Sequence, residues 1–86
     1  MVANAYIFLK VEPARTSEVV QRLKSLPGAV VREVLGPYDV VVELERDTVV
    51  DITSVMRSKI RTVPGVQTTT TCMWVEGSFG HGAGGE

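Results

Sequence analysis

Leu26-Pro27-Gly28-Ala29-Val30 and Val63-Pro64-Gly65-Val66 are two versions of one junction, with prolines at positions 27 and 64. Proline cannot continue a helix, and glycine accepts the left-handed backbone at a helix end, so each Pro-Gly pair stops a helix and releases the chain into an extended segment. A helical pattern runs backward from each pair and a strand pattern runs forward. The chain therefore reads as a strand-helix-strand unit written twice.

Working back from the first junction, the spacing predicts a helix over roughly Ala14 to Leu26. Thr16, Val19, Val20, Leu23 and Leu26 share one face, and Arg15, Glu18, Gln21, Arg22 and Lys24 lie mainly outside it. The second helix is expected over roughly Val49 to Thr62. Thr48 and Asp51 stand in capping-box spacing at its start, and Ile52, Val55, Met56, Ile60 and Val63 form its apolar stripe. Arg57, Lys59 and Arg61 fall in the last turns, where cations complement the helix dipole from a solvated face.

Four extended segments remain, about Ala3 to Val11, Ala29 to Leu35, Tyr38 to Glu45 and Val66 to Val75, giving the order βαββαβ. Gly36-Pro37 leaves too little chain between the second and third for anything but a hairpin, while each helix serves as a crossover. Right-handed crossovers in this order predict an α+β, ferredoxin-like fold: an antiparallel sheet of order 4-1-3-2 with both helices on one face. Alternation then shows the two central strands to be apolar on both sides. Ala5, Ile7, Leu9 and Val11 point one way, with Tyr6 and Phe8 the other; Val40, Val42 and Leu44 oppose Val41. Two helices cover one face only. Burying several large apolar side chains is worth about 1.5–3 kcal/mol each, so the uncovered face, with Tyr6, Phe8 and Val41, is expected to dimerise sheet against sheet.

Composition agrees. A chain of 86 residues, 44% apolar and 22% charged, holds a single core. Nine Lys+Arg against ten Asp+Glu give a net charge of -1, which supplies no field for a polyphosphate backbone, so no direct nucleic-acid partner is expected. A mean hydropathy of +0.14 is high for so small a chain and points to apolar surface meant for another copy. The apolar opening stretch, interrupted by Lys10, is neither a leader nor a membrane span, and the lone Cys72 forms no internal disulfide; the cytoplasm is the expected location. Cys72 reads as a small core or interface hydrophobe. Residues 77–86 form a Gly-rich tail expected to be flexible, and they carry the only histidine, His81. No nucleophile-base pair, metal-ligand spacing or cofactor motif is present, so neither enzyme activity nor a metal or cofactor is expected.

Gly36-Pro37-Tyr38-Asp39 stands apart because it combines a rigid turn, an aromatic ring and a carboxylate at one end of the sheet. Gly36 and Pro37 are explained by a turn alone, and Asp39 is also suited to capping backbone amides. The topology brings the hairpin to the end where the last strand begins, so that Thr68, Thr69, Thr70 and Thr71 gather toward the same rim. A carboxylate to receive an ammonium, backbone amides to receive a carboxylate and hydroxyls to fix orientation are what a zwitterionic amino acid requires. With strands about 4.8 Å apart, the hairpin and the last strand of one chain are too separated to enclose it, and a neighbouring subunit is needed.

These marks together resemble the RAM domain, the effector-binding half of leucine-responsive/AsnC regulators. They are the Leu-Pro-Gly before the second strand, Gly36-Pro37-Tyr38-Asp39 followed by Val40-Val41-Val42-Glu43, and Ile60-Arg61-Thr62-Val63-Pro64-Gly65-Val66 leading to Thr69-Thr70-Thr71. The resemblance covers about Tyr6 to Val75, and residues 1–76 are taken as the domain. It implies dimers formed through the sheets, dimers assembled into octamers or decamers, and amino-acid effectors held between dimers. The residues it singles out are Gly36, Tyr38 and Asp39, with Thr69 and Thr71 beside them, and Pro37 lies within the same turn. Such regulators usually begin with a helix-turn-helix. None is read here, so the chain resembles stand-alone RAM proteins that act on transcription through a full-length regulator partner. The alternative is a structural oligomerisation module without effector. A small ferredoxin-like monooxygenase is a third reading, and it lacks a proton-transfer residue.

Overall fold

The computed structural model describes residues 2–76, and the tail assigned to 77–86 lies outside them. The chain runs through β1 (Val2–Val11), a 3-10 turn (Pro13–Arg15), α1 (Thr16–Lys24), β2 (Ala29–Glu33), β3 (Val40–Arg46), α2 (Val49–Val55) with a π-helical turn (Met56–Ile60), and β4 (Val66–Glu76). The strands form one antiparallel sheet of order β2-β3-β1-β4, the ferredoxin-like arrangement that the two Pro-Gly stops foretold.

Register decides which side chain meets which helix. Ile7 lies between Val42 and Thr71, and Leu9 between Val40 and Thr69. With Ala5 and Leu44 they join Val19 and Leu23 of α1, Ile52 of α2 and Ile60 of the π turn in one core, all fully buried. Both helices therefore cover the same face.

Several boundaries differ from the sequence reading, each for a local reason. Pro13 opens a 3-10 turn, so α1 proper begins at Thr16 rather than Ala14 and closes at Lys24. Thr48 caps α2 as its spacing predicts, its hydroxyl accepting from the Asp51 amide at 3.0 Å. Beyond Val55, however, the second helix widens. The Arg61 amide donates to the Met56 carbonyl at 2.9 Å, and the π turn keeps Ile60 fully buried. The hairpin loop is longer than expected: β2 stops at Glu33 and β3 starts at Val40, leaving Val34 to Asp39 outside the strands.

The two Pro-Gly junctions are not equivalent. A Cβ on Gly65 (φ +102°) would sit 2.9 Å from the Cβ of Arg15, because this junction is pressed against the start of α1, where the Glu12 amide donates to the Gly65 carbonyl at 2.8 Å. At Gly28 a Cβ would meet the movable guanidinium of Arg46 first, at 2.8 Å. The second junction thus locks the rim end of the molecule.

Candidate functional site

The rim is the end of β1, flanked by the β2-β3 hairpin on one side and the start of β4 on the other. The pairing of β1 with β3 ends at Leu9 and Val40. Just beyond, the Asp39 amide donates to the Leu9 carbonyl at 2.8 Å, and the Val34 amide donates to the Asp39 carbonyl at 3.0 Å. Val11 would then have no acceptor on that side. The Asp39 carboxylate supplies it, Oδ2 accepting from the Val11 amide at 2.8 Å across 28 residues of sequence. Asp39 is therefore a cap for the end of β1, made from a side chain where the neighbouring strand has run out. No hydrogen bond to its other oxygen, Oδ1, occurs among the described residues.

Tyr38 turns away from this cap. Its ring lies 5.3 Å from that of Phe8, Phe8 lies 6.5 Å from Tyr6, and Tyr6 lies 5.0 Å from Trp74, so the rings form a row across the face that the helices leave open. Val41 stands in register beside Phe8 on the same side. Tyr38 and Trp74 were not among the residues assigned to this face by the sequence. Trp74 was within reach, since it alternates in step with Thr70 and Cys72 on β4; the position of Tyr38, outside any strand, was not. Cys72, in register with Tyr6, is exposed on this face and is not a core residue.

The threonines do not gather as one group. Thr69 and Thr71 pair with Leu9 and Ile7 and face the helices, whereas Thr70 pairs with Phe8 and faces the open side, with Thr68 in the same alternation. A strand cannot present consecutive hydroxyls to one point. The Thr71 hydroxyl donates to the Met56 sulfur at 3.4 Å, tying β4 to the π turn. The sheet thus separates the Tyr38 ring from Thr69 and Thr71.

Two shallow depressions remain at the rim. One, of about 340 Å³, is lined by Thr16, Glu33, Val34, Leu35 and Asp39. The other, of about 360 Å³, is lined by Arg61, Val66, Gln67, Thr68 and Thr69. Either is of a size for a small metabolite, and neither encloses one. Larger grooves, lined by Arg15, Arg22, Ser58 and Lys59 among others, run beside the helices and include none of Gly36, Pro37, Tyr38, Asp39, Thr69 and Thr71. Among the described residues no group of three or more His, Cys, Asp or Glu could hold a metal ion, and no helix is long and apolar enough to cross a membrane.

The model of the Lrp/AsnC ligand binding domain matches residues 4–78. This chain belongs to the Lrp/AsnC ligand-binding domain family. Among solved structures the domain is similar to FFRP-DM1, with 32% identity, a TM-score of 0.80, and coverage of 87% of this chain and 100% of that one. It is also similar to hypothetical protein PHS023 from Pyrococcus horikoshii, at 30% identity and a TM-score of 0.82 over 94% of this chain and 98% of the other. E. coli AsnC, at 17% identity and a TM-score of 0.79, shares the fold; 88% of this Lrp/AsnC ligand-binding domain covers 52% of that chain. No curated protein matches.

Proposed function

We propose that this Lrp/AsnC ligand-binding domain is a non-catalytic cytoplasmic sensor. It dimerises through the open sheet face, assembles further into octamers or decamers, binds an amino acid at the rim between dimers, and acts on transcription through a full-length regulator partner. The observation that carries the reading is the row Tyr38-Phe8-Tyr6-Trp74 on a face that no helix covers. Tyr6 keeps 39% of its surface exposed and Val30 46%, and burial against a second copy recovers about 1.5–3 kcal/mol per large side chain. At the rim, Asp39 Oδ1 is the acceptor for the ammonium, the Gly36-Pro37-Tyr38-Asp39 backbone orients the ligand, and Thr69 donates or accepts from its hydroxyl. Binding then biases the assembly state that the partner reads.

One observation favours a second reading. The bond from Val11 to Asp39 gives that carboxylate a complete structural purpose, as a purely structural oligomerisation module requires. Asp39→Asn separates the two. Asparagine retains an oxygen for the Val11 amide and loses the charge, so the sensor reading expects calorimetric heat from an amino acid with the wild type and none with Asp39→Asn, at nearly unchanged melting temperature. The structural reading expects no heat from any of the twenty amino acids, and one unchanging particle by light scattering with or without them.

A further inference from the structure

One side chain on the open face has incomplete hydrogen bonding. Asn4 lies between Ala3 and Ala5, which are buried beneath the helices, so alternation along β1 turns it to the opposite side with Tyr6 and Phe8. No helix covers that side. Yet only 9% of Asn4 is exposed, against 39% of Tyr6, and it is the one buried polar residue among the described residues. In register it stands between Glu45 of β3 and Trp74 of β4, whose ring meets Tyr6 at 5.0 Å. Neighbouring side chains of the open face are thus what is placed to shelter it. Its Nδ2 atom is shut off from solvent and has no hydrogen-bond partner among the described residues. A primary amide carries two donors on that nitrogen, and burying them unpaired forfeits their bonds to water, so native folds supply an acceptor. Glu45, the nearest carboxylate in register, is exposed and takes no bond from it. Leucine, of nearly the same shape, would fill the place without that cost.

We propose, on the reading that this face dimerises, that the Asn4 amide is a polar pin of the interface, its Nδ2 donors received by an oxygen from the open face of a second copy. A second copy suits the site because the same face holds both halves of the bond. The Glu43 and Glu45 carboxylates of β3 and the Thr70 hydroxyl of β4 share the side of the sheet to which Asn4 turns, so one isologous contact brings donor and acceptor together. The row of rings attracts a second sheet without fixing how it is rotated or slid. One buried, directional bond restricts the ways two such sheets can lie together, at a cost in stability that an apolar residue would not incur. The competing explanation is local: the donor is a plain cost to the fold, or in solution it is met by water or by Glu45 of its own chain.

Asn4 is the only asparagine of the chain, so isotope-labelled asparagine gives a single side-chain NH2 pair to follow by NMR. In the full chain, at concentrations where sedimentation shows association, one proton of that pair is expected to move downfield and to exchange with water about 10-fold more slowly than a free amide. Both features should vanish on dilution, or in Phe8→Ala, once the single chain prevails. Asn4→Leu adds apolar surface to the face and removes the donor. It is expected to raise the dissociation constant about 10-fold with the secondary structure retained, because the second copy's oxygen is left unpaired. A local cost has the opposite sign, so Asn4→Leu associating as tightly as the wild type, or more tightly, overturns the pin. An NH2 pair protected equally in the single chain also overturns it and assigns the acceptor to Glu45, whereas a freely exchanging pair in the associated state overturns it and assigns the acceptor to water. These results leave the dimer standing. Wild type that stays a single chain at every concentration overturns the dimer reading and the pin with it.

Discussion

The two faces of the sheet are built by the same strands and meet opposite fates. On one, Ile7, Leu9, Val42 and Leu44 are fully buried beneath α1, α2 and the π turn. On the other, one residue away along the same backbone, Tyr6 is exposed and Phe8 half-buried, and the row of rings crosses from Tyr38 to Trp74. The difference lies in coverage rather than composition, because two helices supply one layer. Apolar side chains on β1 are thus covered when their position is odd and left on the open face when it is even. If that face associates as proposed, substitutions along this strand should divide between fold stability and association accordingly.

The largest expected effect is on the covered face. Ile7→Ala should lower unfolding stability by about 2–5 kcal/mol through lost burial and an unfilled cavity, measured by denaturant unfolding. On the open face, Phe8→Ala should leave the secondary structure intact and weaken association by about 1.5–3 kcal/mol, seen as a raised dissociation constant by sedimentation. If Phe8→Ala instead unfolds the chain as Ile7→Ala does without changing association, the contrast between the faces fails. Asp39→Ala tests the boundary between them. It leaves the Val11 amide without its acceptor and should cost about 1–2 kcal/mol, with faster amide exchange at Val11 than in Asp39→Asn. Thr48→Ala removes a cap remote from both faces and should cost about 1 kcal/mol with association unchanged, the baseline against which the others are read.

Much of this was legible in advance because it rests on short-range chemistry. The Pro-Gly stops, the Thr48 cap and the alternation of Ile7 and Leu9 against Tyr6 and Phe8 each depend on neighbours within a few residues. What was missed depends on pairing across the sheet or on departures from ideal helix geometry. The threonine run looks like one cluster until register divides Thr69 and Thr71 from Thr70, and Tyr38 looks like a turn residue alone until its ring is found beside Phe8. Nothing in the periodicity of the second helix announces the π turn, which becomes visible only as the bond from Arg61 to Met56.

By itself the sequence determined the order of elements, the class of fold and the existence of a surplus apolar face, because proline, glycine and a period of two constrain the backbone locally. Only the tertiary structure decided that Asp39 caps Val11, that the aromatic rings form a single row, and that the rim carries an acidic and a basic depression on opposite sides of β1. Those facts follow from register and from where each strand runs out, and register is set by the whole sheet closing on its core at once.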